Sequence, residues 1–247
     1  MAGAPEREVD ALFVALLRAG EDRAEARRLL AGPLDEAVLT PLLRRSVPIA
    51  FLEAVAATRP WSEHARVLAR VVLSPRAQRA LSLRLVGALG WRDLAEVAAT
   101  MRVSAAVRSR AESLLRDGLG EMRLGDRVTL ARVATPALLP LLLADVDRHV
   151  VEAALVNPRL REQDLVGALR REDAPIVLLQ GACASSRWSG CYAVRLAIVL
   201  QPRAPLALAL AQVTSLVPRD LQRVEGEAAL RPLLRLAAER VLEVSRA

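Results

Sequence analysis

At 247 residues, with 53% hydrophobic and 26% charged, the chain is long enough to bury a sizeable core and too apolar to be disordered. The formal net charge is +7 and all 35 basic residues are arginine, which directs attention to phosphates and acidic partners while also matching the codon bias of a GC-rich bacterial genome. The longest uncharged run, Ala204 to Pro218, falls short of the ~20 residues of a membrane span, and the start Met1-Ala2-Gly3-Ala4-Pro5-Glu6-Arg7-Glu8 lacks a signal-peptide pattern, so a cytoplasmic location is the expectation.

Apolar residues recur at three and four throughout, with Ala, Leu, Arg and Glu between them, and alternation of the strand type is scarce. In chain order the spacing predicts helices over 8–19, 21–31, 35–45, 48–58, 62–73, 77–89, 92–101 and 104–117. It then predicts 126–133, 137–144, 148–156, 161–171, 175–185, 189–200, 204–216, 219–226 and 230–245. Such short helices are marginal alone and must be held by their neighbours. Ser62 and Ser189, each after a tryptophan, and Asp93 and Asp220, each before a leucine, are expected to cap helix starts. Ser74-Pro75, Asn157-Pro158 and Gln201-Pro202 are expected stops, because a residue before proline is pushed out of the helical region.

Shifted by 127 residues, the chain matches itself. Residues 10–120 fall on 137–247 without a gap, with about 30 of roughly 110 positions identical. Pro48-Ile49 meets Pro175-Ile176, Trp61-Ser62 meets Trp188-Ser189, and Arg92-Asp93-Leu94 meets Arg219-Asp220-Leu221. A finer period lies within each copy, since Asn157-Pro158-Arg159 and Gln201-Pro202-Arg203 stand 44 apart. Residues 1–120 and 121–247 are therefore read as two three-repeat halves, with Gly118, Gly120 and Gly125 at the joint and the second half continuous with the first.

The run Asp145, Val150, Ala154 and Asn157-Pro158 resembles the core of a HEAT repeat, and the Asn-Pro stops between short helices are similar to leucine-rich-repeat-variant proteins. The resemblance covers most of the chain from about residue 21. It implies an all-α, right-handed α-solenoid of about six HEAT-like repeats, built by internal tandem duplication. It departs from the family where Arg102 and Ser189 stand in place of the repeat's aspartate.

No motif names a reaction. His64 and His149 sit in no metal motif and face non-histidines in the other copy. Asp145 and Asp147 form a close carboxylate pair, read as helix capping beside the alternative of acid–base work. Cys183 and Cys191 lack metal spacing and are read as structural. Trp61 and Trp188 are read as anchors between repeats or as a cleft with one ring per copy, while Trp91 has no counterpart and is the candidate exposed ring.

Arginines persist in both copies at Arg44/Arg171, Arg76/Arg203, Arg92/Arg219 and Arg108/Arg235, and Arg159 repeats the Pro-Arg pattern. In stacked repeats they would form a row, available to an acidic partner or to phosphates. They could equally tie one repeat to the carboxylates or helix-end carbonyls of the next. The expected function is a non-catalytic interaction module or scaffold for a partner protein, with no enzyme activity, cofactor or metal, and with homo-oligomerisation open. The alternative is a nucleic-acid binder resembling HEAT-like DNA glycosylases, with an arginine-lined concave face. A cofactor-lyase accessory is a third, weaker idea.

Overall fold

The computed structural model describes residues 4–32 and 34–246. It is all-helical, with no strand among the described residues. Two compact units divide the chain, Met1–Gly120 and Glu121–Ala247.

The first unit contains α1 (Ala4–Ala19), α2 (Arg23–Leu30), α3 (Glu36–Leu43), α4 (Ile49–Ala57), α5 (Ala65–Leu73), α6 (Arg79–Leu85), α7 (Trp91–Ala99) and α8 (Ala105–Gly118). The helix starts have local causes. Asp22 accepts from the backbone N–H groups of Ala24 and Glu25, and Asp35 from that of Val38, satisfying donors that a first turn leaves open. Gly20 ends α1 at φ 61°, a left-handed conformation that a residue with a Cβ rarely adopts. Most helices bury a stripe against the helix two places on, and α7 also packs on its neighbour α8. Thus α1 packs on α3, α3 on α5 and α5 on α7, while α2 packs on α4 and α6 on α8. Leu16, Leu39, Leu42, Leu43, Phe51 and Leu52 are fully enclosed between these rows.

The second unit contains α9 (Leu124–Val133), α10 (Leu139–Leu143), α11 (Arg148–Leu155), α12 (Glu162–Leu169), α13 (Ile176–Ala184), α14 (Tyr192–Val199), α15 (Leu206–Val213), α16 (Pro218–Gly226) and α17 (Pro232–Arg246). Packing two places on gives α9–α11–α13, α10–α12–α14 and α15 on α17, while the neighbours α14 and α15, and α16 and α17, pack directly on each other. Helices α13 to α17 begin at residues 176, 192, 206, 218 and 232, each 127 after the start of α4 to α8 in turn.

The local expectations at four caps are corrected. Ser62 lies in a 3-10 turn, Trp61–Glu63, and the helix begins later at Ala65 behind His64; Ser189 likewise precedes a helix that begins at Tyr192. Neither serine caps. Asp93 and Asp220 sit inside the first turns of α7 and α16 rather than ahead of them, where their charge still faces the positive helix end.

Candidate functional site

The second unit holds its helix ends together by side chains that reach back along the chain. Asn157, fully buried after α11, donates its amide to the carbonyls of Ala131 and Ala134 at the end of α9, at 2.8 and 3.2 Å. Its own Oδ1 accepts from the Arg159 backbone N–H, and the Arg159 guanidinium donates to the Val133 carbonyl at 2.7 Å. Gln201 repeats the arrangement after α14, donating to the carbonyls of Leu169 and Arg171 at the end of α12, while Arg203 donates to the Glu172 carbonyl. After α13, Arg187 donates to the Asn157 and Leu160 carbonyls, and Trp188 Nε1 to the Leu155 carbonyl at 2.8 Å. The Arg187 guanidinium lies 4.2 Å over the Trp188 ring. The carbonyls of Ala131, Val133, Leu155 and Leu169 among these acceptors are ones that a helix end leaves without an intrahelical partner, and the others lie in the connecting loops.

The sequence-predicted arginines mostly serve such contacts. Arg76 pairs with Glu21 at 2.9 Å, Arg171 pairs with Asp173 at 2.8 Å, and Arg235 donates to the Glu225 carbonyl. Arg108 donates to the carbonyls of Met101 and Val103. Arg44 differs: it is exposed and lines a cleft of about 220 Å³ with Arg70, Glu96 and Arg102, where Arg70 and Glu96 form two parallel 2.8 Å bonds. Trp91 is half-buried at the start of α7 with the Arg92 guanidinium 5.0 Å above its ring. Trp61 and Trp188 are both buried, so neither ring presents a face to solvent.

Carboxylates are held in structural roles. Burial alone would raise the Glu21 pKa, but the N–H groups of Ala50 and Ile49 at the start of α4, together with Arg76, outweigh it and hold the carboxyl below its ordinary value. Asp147 caps α11 through the His149 N–H, which lowers its pKa. Asp145 accepts from the Asp147 N–H, and its Oδ2 lies 3.2 Å from Arg127 Nε, an ion pair without hydrogen-bond alignment. Asp93 is raised by burial, against the pull of Arg70. Tyr192 donates to Asp220 and accepts from the Val217 N–H; burial first and the Asp220 bond second raise its pKa. Burial also raises the Cys183 thiol, which disfavours the reactive thiolate. No cluster of three His, Cys, Asp or Glu that could hold a metal occurs among the described residues.

Further grooves run between helices. One of about 470 Å³ between α16 and α17 mixes Glu225 and Glu239 with Pro232, Arg235 and Leu236. Another of about 310 Å³ is lined from α2, α4 and α6 by Arg23, Arg27 and Arg84 with Ala50, Glu53 and Ala54. Sequence reasoning does not single out these three arginines, because none recurs in the second copy; absence from the repeat is the signal that sets them apart. No described helix is long and apolar enough to cross a membrane. The chain matches no family model, no curated protein and no solved structure.

Proposed function

We propose that this protein is a non-catalytic interaction module: a right-handed, HEAT-like α-solenoid, made by duplication of a three-repeat ancestor, that offers helix faces and grooves to a partner protein. The observation that carries the reading is the use of the recurring arginines. Arg76 and Arg171 are paired with carboxylates, and Arg108, Arg159, Arg203 and Arg235 donate to backbone carbonyls. A phosphate-binding row would leave such groups aimed at solvent, since its affinity comes from guanidiniums that neutralise phosphates and release the counterions condensed on the nucleic acid. The grooves mix acids, bases and apolar side chains, the lining that suits a protein surface.

The nucleic-acid reading keeps one observation in its favour, the exposed Arg44 and Arg102 in the cleft beside Arg70. Fluorescence anisotropy with short single- and double-stranded DNA and RNA, at low and moderate salt, separates the two. The interaction-module reading expects no saturable binding at moderate salt. Tight binding that falls steeply with salt would overturn it. In parallel, crosslinking in the native cell is expected to recover a defined partner protein joined to residues of the grooves.

A further inference from the structure

We propose that the groove between α2, α4 and α6 docks an acidic helical segment of the partner, an inference that rests on the interaction-module reading. Arg23 and Arg27 stand four residues apart on α2 and so share one face, and Arg84 enters the groove from the last turn of α6. Between them Ala50 and Ala54 on α4 add nothing beyond a Cβ, so a docked backbone can come close. Arg23 is held by Glu53 at 3.0 Å. Arg27 and Arg84 have no carboxylate partner among the described residues, which leaves the groove net positive.

The equivalent positions in the second unit are lined differently. At 127 residues on, Arg23, Arg27 and Arg84 become Val150, Ala154 and Ala211, and Glu53 becomes Gln180. There Val150 and Ala154 are fully buried and α9 packs on α11, whereas Arg23, Arg27 and Arg84 are exposed, so the arginine-lined groove belongs to the first unit alone. Their spacing specifies the ligand. An acidic segment supplies carboxylates to Arg27 and Arg84, each guanidinium taking one through two parallel bonds, and a glutamate four residues from the one at Arg27 can share Arg23 with Glu53. Nucleic acid fits less well. Glu53 stands in the wall against phosphodiesters, no aromatic ring lines the groove for base stacking, and about 310 Å³ accommodates side chains rather than a duplex.

The test is anisotropy of a fluorescein-labelled Glu/Ala helical peptide of about 20 residues, with glutamates four apart, titrated with the full chain. The expected result is saturable binding that weakens with salt and falls roughly tenfold in the R27A/R84A variant. A Glu→Gln peptide is expected not to bind. Both replaced arginines are exposed, and an unchanged thermal melt verifies that the variant is folded. No saturable binding, equal binding by the variant, or equal binding of the Gln peptide would each overturn the proposal. Preference for single-stranded DNA through the same arginines would overturn it in favour of nucleic acid. Crosslinking with R27A/R84A keeps the two readings apart: a partner retained by the variant rejects the groove and keeps the module, whereas no partner for either chain rejects the module.

Discussion

Asn157 and Gln201 are the polar residues on which the second unit's helix ends depend. The equivalent of Gln201 in the first unit is Ser74, which is too short to reach back; its hydroxyl is buried with no hydrogen-bond partner. The two positions therefore predict opposite outcomes. Gln201→Ala leaves the Leu169 carbonyl without its donor, while that of Arg171 keeps the Ala174 N–H, and is expected to cost roughly 1–2 kcal/mol in urea unfolding, whereas Ser74→Ala removes an unsatisfied group and is expected to be neutral or stabilising. Equal losses at both would refute the clasp. Glu21 gives a pH signature. Its folded pKa lies below the ordinary 4.5, so its contribution is complete above about 4.5 and is lost as the pH falls through the lower folded value. The melting temperature of the parent is expected to drop more steeply with acid than that of Glu21→Gln, and parallel curves would remove Glu21 from the account. The Asn157-Pro158 stop is legible in sequence from the steric rule alone. The clasp is not, because its acceptors lie 23 and 26 residues earlier and only the fold brings them near.

Single helices show the same division between what spacing reveals and what packing decides. The periodicity reads 62–73 as one helix, yet the chain makes a 3-10 turn and extends at His64 before α5, which seats Trp61 in the core. Periodicity sees that apolar residues share a stripe but not that a large ring needs a corner to enter. Two glycines test packing against propensity. A Cβ on Gly181, in α13, would stand 2.8 Å from Leu155 Cδ1 on α11, whereas 127 residues earlier the corresponding residues are Ala54 and Arg28. Gly167, inside α12, meets nothing within 4 Å. Gly181→Ala is expected to lose about 1–3 kcal/mol by overpacking and Gly167→Ala to gain about 0.5–1 kcal/mol by helix propensity. Chemical denaturation checks both, and a stabilised Gly181→Ala would mean that α11 and α13 pack more loosely than described.

At the scale of the whole chain, the self-match at 127 residues leads the eye to two halves, and each unit encloses buried leucines of its own. A fragment of residues 121–247 is accordingly expected to keep helical circular dichroism and to melt cooperatively. A fragment that stays unfolded would show that the second unit borrows its stability from the first. The all-helical class is fully legible because composition and period agree along the chain. The candidate surface is less so: repetition points to Arg76, Arg159 and Arg203, and these three make structural bonds. Arg23, Arg27 and Arg84 leave the opposite trace, with no arginine 127 residues on, which a search for shared positions passes over.

The clasps of the second unit share a direction. In each, the donor comes later in the chain than the carbonyl it meets, by 23 to 33 residues. A polypeptide leaving the ribosome N-terminus first therefore presents every acceptor before its donor has been made. Each new helix can be latched onto an end already in place, with no need to wait for distant sequence. The order of synthesis and the order of assembly run the same way.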